Sequence, residues 1–254
     1  MRWCVAVSCL TVALTVGSGA VRACALTIGW EPWAPYQMEG EDGPKGLDID
    51  LVTTIMDRAG CTVTFKTVPW ARLLMSIEIG AVDGAMAAAY TDERAAYAHY
   101  SAPYRHETVG LMVRADDAGI RGADSLEAML RDGKVIGLWN DYYYGETVEA
   151  LRADPALNTG FHVVDHGRTM LVMLSRGRFD ATLGDPVADV RSARDLGIGD
   201  KVAVHGLTVL ETPVHLLLSK ASVDADTMAR IDAAIESARA DGTLEDIVAG
   251  YLGR

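Results

Sequence analysis

The chain has 254 residues, enough for one large domain or two small ones, and its 50% hydrophobic and 23% charged residues are ordinary globular composition, which excludes disorder and low-complexity architecture. The net charge is −12 with no lysine- or arginine-rich run, so a phosphate backbone would be repelled and nucleic-acid binding is not expected. Four cysteines (Cys4, Cys9, Cys24, Cys61) without CxxC spacing and six scattered histidines offer no zinc ligand set, and neither a metal nor a cofactor is expected.

Residues 1–25 read as a secretory signal peptide: Met1-Arg2 is a short positive region, Trp3 to Val16 is apolar, and a small-residue segment follows from Gly17 to Ala25. The apolar stretch contains Ser8, Thr11 and Thr15 and falls short of the roughly 20 residues that span a bilayer. Cleavage after Ala20, Ala23 or Ala25 satisfies the small-residue rule equally, and a lipid-anchored Cys24 is a further alternative. Losing Arg2 and Arg22 takes the mature chain to about −14. An acidic, soluble, exported protein is expected.

From Leu26 onward strands and helices alternate. Leu26–Trp30 is a strand. Apolar residues at 47, 51, 52, 55 and 56 predict a helix that Gly60 ends. Strand 61–65, helix 70–79 and strand 82–87 complete a β-α-β-α-β unit, which calls for a parallel sheet with right-handed crossovers. A second series follows: strand 108–113, helix 125–130, strand 134–138, helix 145–153, strand 161–164, helix 168–174, strand 180–183 and helix 186–196. Strand 202–204 then leads through Glu211-Thr212-Pro213 into strand 214–219, and helices 225–240 and 244–251 close the chain. The simplest arrangement is two α/β lobes with a cleft between them, binding at the carboxyl ends of the strands.

Five segments in order resemble the family 3 solute-binding proteins, periplasmic receptors of polar amino acid ABC importers. They are Ile28 to Tyr36 with Gly46 to Leu51; Gly80 to Gly84; Thr91-Asp92-Glu93-Arg94 with Tyr100 to Tyr104; Gly177 to Ala181 with Asp185; and Ala240 to Ile247. The resemblance implies a two-lobed α/β fold of the type II periplasmic-binding class, each lobe a mainly parallel sheet flanked by helices. Lobe 1 would be 26–108 with 212–254 and lobe 2 would be 109–211. It implies capture of an amino acid or similar small carboxylate by hinge closure, delivery to an ABC permease in the inner membrane, and a monomer.

A buried zwitterion needs a charged partner for each end. Arg94 matches the family's arginine that forks onto the α-carboxylate, and Asp185 matches the carboxylate that receives the α-ammonium; as a plain helix cap before Pro186, Asp185 would look the same. Trp33 and Tyr36 fall where the family places an aromatic over the ligand, and Trp70 starts a helix at the same strand-end face. Ala89 belongs to Ala87-Ala88-Ala89-Tyr90, which stands where the family shows a hydroxyl residue and a glycine, so hydroxyl contacts to the ligand carboxylate are missing: either Arg94 and backbone amides alone hold it, or the ligand is not a standard α-amino acid. Tyr142 and Tyr143 lie in the turn from Trp139 to Glu146, whose free N–H groups suit an anion. Arg72 is either a helper for an acidic ligand or a solvated charge.

Two other readings stay open. One is a stand-alone ligand sensor, the other an enzyme like the periplasmic cyclohexadienyl dehydratases, with Glu31, Asp48 or Asp185 as acid or base. No nucleophile–base pair or catalytic signature occurs, and a non-enzyme is expected. Crossings between the lobes are expected near His106–Gly110 and Thr208–Thr212. In the proposed fold Cys24 and Cys61 start neighbouring parallel strands, roughly 5 Å apart, so a disulfide between them is expected if processing spares Cys24; cleavage after Ala25 leaves Cys61 a lone thiol.

Overall fold

The alternation of strand-forming and helix-forming segments is realised over residues 24–252, which the computed structural model describes. The expected leader lies outside the described residues except for Cys24 and Ala25, which open the first strand. In chain order the elements are β1 (Cys24–Trp30), α1 (Leu47–Arg58), β2 (Cys61–Thr67), α2 (Trp70–Glu78), β3 (Gly84–Ala89), α3 (Asp92–Tyr97), β4 (Ala98–Tyr100) and β5 (Arg105–Arg114). They continue as α4 (Ala118–Arg121), α5 (Leu126–Arg131), β6 (Ile136–Trp139), α6 (Glu146–Ala153), β7 (Phe161–Val164), α7 (Gly167–Ser175), β8 (Ala181–Gly184) and α8 (Pro186–Asp195). β9 (Val202–Ser219), α9 (Ala225–Ala240) and α10 (Thr243–Leu252) finish the chain. Among the described residues, no helix is long and apolar enough to cross a membrane.

Nine strands form one sheet in the order β2-β1-β3-β9-β5-β8-β6-β7, with β4 on β9. Two parallel groups, β2-β1-β3 and β8-β6-β7, are joined through the antiparallel pair β9 and β5. The two segments where crossings are expected pair with each other in β5 and β9, Thr108 opposite Glu211 and Gly110 opposite Thr208, with a register shift at Val109/Gly110.

The apolar residues segregate. Leu26, Ile28, Leu47, Leu51 and Ile55 pack with Leu216, Leu218, Ile231 and Ile235. A separate cluster joins Val109, Leu111, Ile120, Met129, Ile136, Leu138 and Leu183. Each such side chain contributes about 1.5–3 kcal/mol when removed from water, so these clusters hold the helices on the sheet. Cys24 and Cys61 face each other in the β1–β2 register and are joined by a disulfide with a Cα–Cα distance of 4.5 Å. A mature chain starting at Leu26 would lack this bond.

Four features depart from the sequence expectation, one of them α4, whose four residues are too few to show a helical period. The stretches 202–204 and 214–219 are ends of one 18-residue strand. Pro213 has no N–H to give, yet pairing with β5 on both sides carries the strand through it. α3 and β4 were not expected, because Asp92 to Tyr97 has no apolar stripe; Thr91 nucleates that helix by accepting the Arg94 amide on its hydroxyl at 3.2 Å.

Candidate functional site

The segments that leave the carboxyl ends of β1, β2, β3, β6 and β8 supply the candidate residues: the loop from Glu31 to Tyr36, Trp70, Arg94, the turn from Trp139 to Gly145, and Asp185. Arg94 lies in the first turn of α3, 7% exposed. Its Nη1 donates to the Ala89 carbonyl at 3.1 Å and its Nη2 to the Asp141 carbonyl at 2.7 Å. The Trp70 indole Nε1 donates to the same Asp141 carbonyl at 3.1 Å, and the Trp70 ring lies 5.4 Å from the Arg94 guanidinium carbon. Ala89, Arg94 and Trp70 are thus gathered around one carbonyl that arrives from the turn after β6. Asp141 presents it with a φ of 57°, a left-handed conformation costly for a non-glycine residue. Ala87, the other described non-glycine residue with positive φ (55°), gives its N–H to the Tyr104 hydroxyl and also lines the cleft.

Asp185 is the N-cap of α8. Its Oδ1 accepts the Ala188 amide at 2.8 Å and its Oδ2 accepts the Tyr36 hydroxyl at 3.0 Å. Burial raises its pKa, and the Ala188 amide opposes that rise. Tyr36 is 3% exposed, with its ring 4.3 Å from the Arg105 guanidinium carbon, so it faces the support beneath Asp185 and lines none of the three cavities at Trp139. Arg105 makes a two-armed salt bridge with Asp48, Nε to Oδ1 at 2.6 Å and Nη2 to Oδ2 at 2.9 Å, and both side chains are buried. Gln37 and the Tyr104 hydroxyl complete the carboxylate's shell. Asp48 is thereby committed to the support of the cleft.

Three cavities meet at Trp139 and Tyr142. The smallest, about 40 Å³, is lined by Glu31, Trp33, Trp70, Ala87, Trp139 and Tyr142 among others. One of about 370 Å³ includes Arg94, Asp141, Tyr142 and Tyr143. One of about 240 Å³ includes Glu31, Trp33, Tyr142, Asp185 and Asp189. Arg94 and Asp185 therefore open onto different cavities that share an aromatic wall, in which the Trp139 and Tyr142 rings stack at 13°. Arg72 is exposed and lines none of them. Glu31 accepts the Trp70 amide at 3.1 Å, which sets its carboxylate at the N-terminus of α2; burial raises its pKa against that bond.

Sequence reasoning missed four participants. Glu107, on β5, is pushed up to about 8 by burial, with Arg105 opposing; its Oε1 accepts the Tyr142 hydroxyl. Asp189, on α8, is pushed up to about 8 by burial and by Asp185. Arg105 and Trp139 complete the set. One signal was available: Asp48 sits at helical spacing with Leu51, Val52 and Ile55, and a lone acid on an apolar stripe calls for a buried cation. Glu107 and Asp189 carried none, because only long-range packing buries them. Among the described residues no cluster of His, Cys, Asp and Glu could hold a metal ion.

The model of the bacterial extracellular solute-binding proteins, family 3, matches residues 26–254. A histidine kinase sensor domain similar to periplasmic binding proteins superposes with a TM-score of 0.77 at 21% identity, covering 91% of this chain and 96% of its own. The arginine-, lysine-, histidine-binding protein ArtJ from Geobacillus stearothermophilus gives 0.73 at 20% identity, with 91% and 96% covered. The ancestral amino acid-binding protein AncCDT-1, a precursor of cyclohexadienyl dehydratase, gives 0.70 at 19% identity over 89% and 94%. At these identities the likeness speaks for the fold alone, the type II periplasmic-binding fold.

Proposed function

The chain belongs to the bacterial extracellular solute-binding proteins of family 3, and on that premise we propose that it captures an amino acid or similar small carboxylate in the cleft around Trp139 and Tyr142. The observation that carries the reading is Arg94: a buried guanidinium whose Nη2 holds an acceptor oxygen, the Asp141 carbonyl, with Trp70 on the same oxygen. A ligand carboxylate supplies the same kind of acceptor with full charge and competes for that fork. Asp185 receives the α-ammonium, its oxygens already aimed by Ala188 and Tyr36. Trp33, Trp70, Tyr142 and Tyr143 wall the ligand, and Ala89 contributes backbone.

The division into lobe 1 (26–108 with 212–254) and lobe 2 (109–211) is supported by the separation of the apolar clusters and by the two strand groups that only β5 and β9 connect. Closure about those strands brings Arg94 and Asp185 onto one ligand. Export by a leader in residues 1–25, a periplasmic location, a monomeric state and delivery to an ABC permease complete the reading. The sensor-domain likeness favours one second reading, in which the closed form is presented to a membrane sensor. Catalysis is disfavoured because Glu31, Asp48 and Asp185 are each committed to a helix terminus or an ion pair.

The test begins with a thermal-shift screen of amino acids and small carboxylates, since a ligand that binds only the folded state raises the Tm. Arg94→Ala should then weaken the identified ligand roughly 30-fold to several thousand-fold by calorimetry, while Arg72→Ala changes little. Unaltered affinity in Arg94→Ala would sink the reading. Uptake of labelled ligand by cells with and without the protein separates transport from sensing.

A further inference from the structure

The carboxyl groups around the cleft are not equally provided for. Glu31 is met by the α2 N-terminus, Asp48 by Arg105, Glu107 by the Tyr142 hydroxyl, and Asp185 by the Ala188 amide and the Tyr36 hydroxyl. Asp189, one turn beyond Asp185 on α8, is the exception: its Oδ2 is closed off from solvent and has no hydrogen-bond partner among the described residues. The carboxyl lies against Gly184, where a Cβ would stand 2.4 Å from Oδ2, so the glycine makes the room this acid occupies. An unanswered buried carboxyl is a standing cost, and burial accordingly pushes its pKa up to about 8. A cation brought to it removes that cost.

Space for one adjoins the carboxyl, and because Oδ2 itself is closed off, a cation would meet the group at Oδ1. Asp189 and Asp185 line the same cavity of about 240 Å³, whose wall includes Trp33, Trp139 and Tyr142. Flat aromatic faces attract a cation within about 6 Å of the ring centre. His166 and Arg168, both exposed, also line this cavity, and neither gives a hydrogen bond to Asp189 Oδ2. The charge count points the same way. A zwitterion placed between Arg94 and Asp185 satisfies both and leaves Asp189 protonated and without a partner at Oδ2; a ligand with one further positive charge would favour its ionised form and pair with it.

We propose that Asp189 receives a second, side-chain cationic group of the ligand, an ammonium or guanidinium, which makes the ligand class cationic amino acids. The inference rests on the solute-binding reading above.

Calorimetry with matched pairs tests it: L-arginine against L-citrulline, which exchanges the guanidinium for a neutral urea, and L-lysine against L-norleucine. The wild-type chain should prefer the cationic member of at least one pair roughly 30-fold or more. Asp189→Asn should reduce that preference to within about 3-fold and leave the neutral member's affinity unchanged. Melting curves check that the variant is folded, and Asp189→Ala is the second variant if it is not. Equal wild-type affinity within both pairs would overturn the cation assignment and leave the solute-binding reading standing. Equal weakening of both members by Asp189→Asn would reduce Asp189 to a structural role and also overturn it. Agmatine, which keeps the guanidinium and lacks the carboxylate, separates the two levels: binding as tight as that of arginine would refute the role given to Arg94. If none of the four amino acids binds, the cation assignment falls, and the thermal-shift screen of amino acids and small carboxylates decides the solute-binding reading separately.

Discussion

Replacing Arg105 by methionine tests whether the floor of the cleft is held by one ion pair. Arg105 donates twice to Asp48, at 2.6 and 2.9 Å, and the two side chains are 3% and 0% exposed. Breaking a buried pair from one side costs about 3–5 kcal/mol, because the remaining charge stays buried. Here Asp48 keeps two neutral donors, the Tyr104 hydroxyl at 3.1 Å and Gln37 Nε2 at 3.2 Å, so the low end, about 3 kcal/mol, is expected. For a chain of this size that is a fall in Tm of roughly 6–12 °C. Arg105→Met, Asp48→Leu and the double variant are compared by urea unfolding, where the double variant should recover at least half of the summed loss, since no buried charge then remains unpaired. The reasoning also predicts weaker ligand binding in Arg105→Met, because the Tyr36 ring packs 4.3 Å from Arg105 and its hydroxyl aims Asp185. A single-variant loss under about 1 kcal/mol, or costs additive within about 0.5 kcal/mol, would refute the account.

The Cys24–Cys61 disulfide spans a sequence separation of 37, and closing a loop of that length stabilises the folded state by about 4 kcal/mol in the chain-entropy model. Urea midpoints with and without reductant, on protein that retains Cys24, should reproduce most of that difference, and a Cys24→Ser/Cys61→Ser variant should match the reduced form; a gap below about 1 kcal/mol contradicts the estimate. Glu107 gives a pH signature, because its folded pKa is raised to about 8 by burial. Between the unfolded value, about 4.3, and about 8 the native state holds a proton that the unfolded chain has released. This contribution is therefore complete below the unfolded pKa and is lost as pH rises towards and through the folded one, at up to about 1.4 kcal/mol per pH unit. Relative to wild type, Glu107→Gln should gain stability from pH 5 to pH 8, and a constant offset across unfolding curves at pH 5, 6.5 and 8 would exclude the raised pKa.

Local pattern settled the elements whose apolar residues repeat at one period: α1, α9 and the strands of both parallel groups were legible because a single buried face dictates the spacing. The neighbouring starts of β1 and β2 were legible too, since a β-α-β unit leaves little choice of pairing, but the disulfide there was expected only on condition that processing spares Cys24. Arg94 and Asp185 stood out as residues, but not their surroundings. That Arg94 grips the Asp141 carbonyl depends on a contact 47 residues away in sequence, and that Tyr36 faces Arg105 and Asp185 depends on partners 69 and 149 residues away. β9 ran through a proline because β5 pairs with it on both sides, a cue absent from its own residues. Glu107 and Asp189 mark the limit most clearly: each is a polar residue in an unremarkable local pattern. Their raised pKa values come from burial by segments distant in the chain, and desolvation belongs to the packed interior rather than to any window of sequence.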